Sequence, residues 1–234
     1  MSNELLARIE ALEKKVKAQE KQLTVLRDIE AIKKLQKAYG YYVEHMMYQE
    51  IVDCFADNPD VCLNWLEGQW LGKAGVKKYF EFMKATPPDF MHQVMQIAGI
   101  VDIDPHGKTA KGRWYAFGGI FAPMPDKVRR SFVSGIYEMG YIKEKGIWKI
   151  LTIKWVIPYA VRLAGDWAMP EDVNRPYIEG QYRGSRPDVP IDLKDGRYLS
   201  GYIFPFHYPH PVTGKPTSED EKNARLFELK GTQR

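Results

Sequence analysis

Apolar residues open the chain at a regular beat. Leu5, Ile9, Leu12, Val16, Gln19, Leu23 and Leu26 alternate at spacings of four and three. That is the period of a coiled-coil seam within one long helix over 4–38. The pattern predicts self-association, as a dimer or a trimer; the other reading of the same stripe is a helix lying on its own domain. The apolar phase then changes, and Ile29, Ile32, Leu35, Tyr39, Val43 and Met46 form a second face. Gly40 falls inside this stretch and predicts that the helix loosens or ends there. A shorter helix is expected over 48–56, a strand over 61–66, and a helix over 73–85 that Pro87 and Pro88 close.

Beyond residue 88 the period becomes two. Strands are predicted over 90–103, 108–121, 129–143 and 147–158. They are linked by "DPHG", "APMPDK" and "EKG", all hairpin-type connections, so the sheet should be antiparallel. Both faces of these strands carry bulky residues. Such a sheet must be covered twice, by helices on one side and by a partner subunit or the chain's own tail on the other. Nine of the 15 prolines fall in 158–234. Regular elements should therefore be short there, although Trp167, Tyr177, Tyr182, Tyr198, Tyr202, Phe204, Phe206 and Tyr208 need somewhere to bury. We expect a loop-rich wrapper over 159–212, with disorder most plausible after Thr213.

Composition narrows the function classes. A net charge of +4, with no long run of one sign, argues against nucleic-acid binding. No segment approaches the roughly 20 apolar residues of a membrane span, and the N-terminus lacks the apolar core of a secretory signal, so the expected compartment is the cytoplasm. Two cysteines, Cys54 and Cys62, are too few for a disulfide framework and read as reduced thiols. No nucleotide or flavin fingerprint is present, and His207 and His210 in "HYPH" lack companions at ligand spacing. Neither a cofactor nor a metal is expected, and the two histidines read as loop packing.

The segments "DIEAIKKLQKAYGYYVEHMMYQEIVDCFAD" (28–57), "GKAGVKKYF" (72–80), His92 on the following strand and "SGIYEMGYIKEKGIWKI" (134–150) together resemble the SnoaL-like branch of the nuclear transport factor 2-like superfamily. The resemblance covers about 28–158. It implies an α+β fold: a curved antiparallel sheet wrapped on helices into a cone with a deep apolar pocket. The chain then divides into an N-terminal oligomerising helix (1–27), the SnoaL-like domain (28–158) and a C-terminal extension (159–234). The family includes cofactor-free dehydratases, a dehydrochlorinase, cyclases, isomerases and non-enzymatic members. In its lyases a carboxylate near the end of the first long helix pairs with a histidine after the third helix. By position these are Glu44 and His92; the family residue is aspartate, one methylene shorter than Glu44.

The residues themselves allow the same chemistry. A neutral imidazole at the mouth of a strand can remove a proton near neutral pH. A structural histidine bonded to a backbone carbonyl is the alternative for His92. On one unbroken helix Glu44 would fall opposite the apolar face, in solvent; it turns inward if the helix breaks near Gly40. Arg113 and Tyr115 share one strand face, and could hold an oxyanion and donate a proton if that face lines the pocket. Asn64, Tyr137 and Lys154 are further candidate substrate contacts. The favoured function is a cofactor-free lyase acting on a hydroxylated aromatic small molecule, such as a lignin-derived biaryl, with loss of water or of formaldehyde. The alternatives are an isomerase or cyclase using the same base, or a non-catalytic binding or assembly module.

Overall fold

The computed structural model describes residues 3–65, 68–87, 90–123, 128–162, 202–203, 205–206 and 209–231. Helix α1 (Asn3–Glu44) leads into α2 (Tyr48–Asp53), strands β1 (Cys62–Trp65) and β2 (Gly68–Leu71), and α3 (Gly72–Phe80), which ends in a 3₁₀ turn (Glu81–Lys84). Four long strands follow: β3 (Met91–Ile103), β4 (Thr109–Pro123), β5 (Val128–Glu144) and β6 (Ile147–Arg162). A C-terminal helix, α4 (Glu219–Lys230), completes the described elements. The strands form one curved, unclosed sheet in the order β2-β1-β6-β5-β4-β3. The α+β cone expected from the sequence is thus the observed fold.

The helix does not stop at Gly40. It runs on to Glu44, and the Gln96 side chain packs against Gly40, 3.5 Å from where a Cβ would stand. Two anchors set the helix on the sheet. Asp28, 7% exposed, accepts hydrogen bonds from Lys143 Nζ (2.6 Å) and Trp148 Nε1 (2.9 Å). Further along, Tyr141 donates to Gln36 Oε1 (2.6 Å), Gln36 Nε2 donates to Gln96 Oε1 (2.5 Å), and Trp114 Nε1 donates to Tyr141 Oη (3.0 Å). These buried polar groups satisfy one another, which removes the penalty of about 1–3 kcal/mol for each unpaired group. Before Asp28 the helix leaves the domain: Leu5, Ile9, Leu12, Val16, Leu23 and Leu26 are all exposed. Among the described residues this part of the helix does not lie on its own domain, and its seam is left exposed.

Alternation puts Val94, Trp114, Ala116, Val133, Tyr137, Met139, Tyr141 and Ile153 on the concave face, against Ile32, Leu35, Tyr39 and Tyr42 of α1. Bulges bend the strands. The one between Ile97 and Ile100 carries Ala98 at φ 52° and Gly99, whose hypothetical Cβ would fall 2.1 Å from the Trp114 ring. Only glycine leaves space there for the indole to fold inward. On the convex face Met95, Ile97, Tyr115, Phe117 and Phe132 remain 40–58% exposed.

Three expectations need correction. The sheet is not wholly antiparallel: β1 pairs parallel to β6, because the chain enters the sheet through α2 rather than through a hairpin. The short strand β2, which pairs with β1, has no counterpart in the predicted elements. After Thr213 the chain forms α4, ended by Gly231 at φ 63°, a left-handed cap that glycine adopts without strain. Packing fixes this helix: Asn223 exchanges two hydrogen bonds with the Ile203 backbone, and Leu226 is 1% exposed. Most of the expected wrapper, with Trp167, Tyr177, Tyr182, Tyr198, Phe204 and Tyr208, lies outside the described residues. The parts described do pack. Phe206 meets Tyr42 edge-on at 5.8 Å, and His210 stacks on Tyr42 at 5.2 Å.

Candidate active site at the mouth of the cone

Helix α1 crosses β3 in the opposite direction, and the Gln36–Gln96 bond fixes their relative register. From Gln36 to Glu44 the helix rises about 12 Å, at 1.5 Å per residue. From Gln96 back to His92 the strand covers about 13 Å, at roughly 3.3 Å per residue. These lengths bring Glu44 towards the His92 end of β3, and Glu44 and Gln93 line one groove. A groove of about 320 Å³ runs beside Glu44, walled by Lys37, Tyr41 and Glu44 of α1 and by Gln93–Ile97 of β3.

His92 is on the concave face of β3, and its ring stacks on Phe90 with centroids 6.4 Å apart. Its Nδ1 is buried and has no hydrogen-bond partner among the described residues. Burial drives the imidazole pKa down to about 4, opposed only by its own backbone carbonyl, so the ring is neutral at pH 7. No hydrogen bond or ion pair joins it to Glu44 among the described residues. Glu44 is nevertheless half-buried on an unbroken helix, because the loop after the 3₁₀ turn and the C-terminal segment cover its side. Burial raises its carboxyl pKa.

A cavity of about 450 Å³ opens beside Glu44. Its walls come from the end of α1 (Glu44, His45, Met46), the loop carrying Thr86 and Phe90, the Tyr202–Ile203 segment, and α4 through Glu221, Lys222 and Arg225. Because Phe90 is both a wall and the partner of His92, the cavity and the imidazole meet across one ring. Burial, helped by the nearby Lys222 charge, lowers the His45 pKa to about 4. Sequence periodicity missed α4 and so missed its three charged residues; the "SEDEKNARLFELK" run, with acids first and Lys230 last, is the helix-dipole signal that could have found it.

The other expected contacts do not gather here. Arg113 and Tyr115 stand on the convex face, where Tyr115 is 58% exposed and Arg113 pairs with Glu138 on β5. Strand alternation is the cause: their neighbours Trp114 and Ala116 take the inward positions. Asn64 and Lys154 are cross-strand partners whose neighbours Leu63, Trp65, Ile153 and Trp155 face the core, so both point away from it. Tyr137 does face inward, 4% exposed, stacked on Trp155 at 5.7 Å and edge-on to Trp65 at 6.2 Å. However, it pairs with Trp114, six residues along β4 from Ile120, the partner of His92. That is about 20 Å of strand, so Tyr137 belongs to the deep aromatic core. The indole Nε1 atoms of Trp65 and Trp155 in that core are buried without partners among the described residues.

His210, expected in loop packing, is a buried anchor. Its Nδ1 accepts from the Val212 and Thr213 amides (3.1 and 3.2 Å), and its Nε2 lies 2.8 Å from the Glu50 carbonyl and 3.6 Å from Cys54 Sγ. His207 lies outside the described residues. Among the described residues no three His, Cys, Asp or Glu side chains converge as a metal-ligand set.

Comparison with known proteins agrees with this architecture. The family model for the SnoaL-like domain matches residues 24–154. Comparison with curated proteins finds no match. Among solved structures, the chain is similar to a scytalone dehydratase candidate from Novosphingobium aromaticivorans, at 16% identity and a TM-score of 0.53 over 64% of this chain and 96% of that one. It is similar to the hexachlorocyclohexane dehydrochlorinase LinA-type3 from Novosphingobium barchaimii, at 15% identity and a TM-score of 0.52 over 64% and 99%. At such identities the likeness establishes the fold. No helix among the described residues is long and apolar enough to cross a membrane.

Proposed function

Because this chain belongs to the SnoaL-like domain family, we propose that it is a cofactor-free lyase in which His92 takes a proton from a hydroxylated aromatic substrate held at the mouth of the cone. The observation that carries the reading is the buried, unpartnered Nδ1 of His92 on the concave face. A buried polar atom without a partner costs about 1–3 kcal/mol, and such atoms persist where a function uses them. A substrate group that bonds this nitrogen recovers the cost on binding. The neutral ring has a free lone pair at physiological pH, as a general base requires.

For loss of water, the C–H proton passes to the imidazole, its electron pair forms the new C=C bond, and the C–O bond breaks. The departing hydroxide takes a proton from the imidazolium or from Glu44, whose raised pKa suits a donor. For loss of formaldehyde, the proton comes from a hydroxymethyl oxygen and the C–C bond electrons pass into the aromatic ring, which is protonated in turn. Both routes need only proton transfers in a site shielded from water.

Mass spectrometry of products from a panel of hydroxylated aromatic substrates tests the reading. With a turned-over substrate, His92→Ala should lower kcat/KM by about 10²–10⁴-fold while the circular dichroism spectrum is retained. Near-normal turnover by His92→Ala would refute it.

A further inference from the structure

The cavity beside Glu44 has a cation that no ion pair among the described residues uses. Arg225 is exposed on α4, and no ion pair ties it to a described residue. Glu221, one turn earlier, lines the same cavity but is not within ion-pair distance of it. Lys222, the other cation, is already committed: its Nζ donates to the Met46 carbonyl at 2.7 Å. That bond serves the end of α1, whose own last turn holds no basic residue and whose carbonyls carry the negative end of the helix dipole. Burial and the neighbouring Arg225 both lower the Lys222 pKa, against the pull of Glu50. Two cations thus stand close together at one wall, and among the described residues no carboxylate fills the donor fork of the Arg225 guanidinium.

The rest of the cavity limits what can fill it. Its volume, about 450 Å³, suits a ligand of one or two rings. Phe90 and Tyr202 offer aromatic surface, and Glu44 and His45 offer polar groups at the α1 side. A planar carboxylate matches the paired N–H donors of the Arg225 guanidinium. We propose that this cavity binds an aromatic carboxylic acid, with Arg225 holding its carboxylate and the ring directed towards Phe90. The proposal rests on the lyase reading above and names its substrate class. It also gives the C-terminal extension a role, since Arg225 lies outside the segment matched by the family model.

Isothermal titration calorimetry on the full chain, with 4-hydroxycinnamate and its methyl ester as probes, tests it. The acid should bind the wild type at least about tenfold more tightly than the ester, a preference worth about 1.4 kcal/mol. Arg225→Gln, a change at an exposed position, should remove that preference by weakening the acid alone. His92→Ala should keep it. Equal binding of acid and ester, no binding of either at millimolar concentration, or an undiminished preference in Arg225→Gln would overturn the proposal. The base role of His92 is read separately, from turnover, so the two ideas can fail independently.

Discussion

At the residue scale, the environment of His92 changes the expected chemistry. A charged carboxylate beside an imidazole raises its pKa, and such a pair would put the inflection of the pH profile at or above the ordinary imidazole value. The structure instead gives a desolvated ring with a pKa of about 4. The deprotonated ring is the active form, so kcat/KM should rise as pH increases through about 4 and be flat from about pH 5.5 to 8. An inflection near pH 7 would show that Glu44 is ionised and paired with His92 in the working enzyme. Glu44→Gln keeps the side-chain shape and removes the titrating carboxyl. It should lower kcat/KM on the order of tenfold, about 1.4 kcal/mol of barrier, and so less than His92→Ala. A silent Glu44→Gln would leave the histidine acting without this carboxylate.

At the element scale, α1 does two jobs in one unbroken helix. From Asp28 onward its side chains are fixed by the sheet; before that point its apolar seam is exposed. Six exposed aliphatic side chains at coiled-coil spacing are costly in water, roughly 1.5–3 kcal/mol for each one that could be buried. A second copy of the helix would bury them. Light scattering should therefore show an oligomer for the full chain and a smaller species for a chain lacking 1–27. The double substitution Leu12→Lys with Val16→Lys should act like the deletion, by placing charge in the seam. If the full chain is a monomer, the seam reading is wrong. If mass is unchanged by the deletion, the convex sheet face around Met95, Tyr115 and Phe117 holds the subunits together.

At the scale of the whole molecule, His45 and His92 are both held neutral by burial, with pKa values of about 4 against an ordinary 6.5. Between those values the unfolded chain binds more protons than the folded one. Stability should therefore be fully present above pH 6.5 and should decline as pH falls towards 4. Thermal melts across pH 4–8 measure this, and the double variant His45→Gln with His92→Gln should flatten the slope. An equal slope in that variant would assign the acid sensitivity to other groups.

Much of the fold was legible because its signals are local. The period-two runs, their hairpin links and the order of helices fixed β3 to β6 to within a few residues, and the family pattern supplied the cone. Register and face came only from tertiary contacts. The sequence could not say which of two alternating faces would be concave, so Arg113 and Tyr115 were expected in the pocket while Trp114 and Ala116 occupy it. Nor could it say that Gly40 would stay helical, packed against Gln96, a residue 56 positions away. The same holds for the site. The sequence alone marked His92 and Glu44 as chemically able. Only packing decided that burial leaves the imidazole neutral, and that a helix from the far end of the chain supplies Arg225 to the cavity beside Glu44.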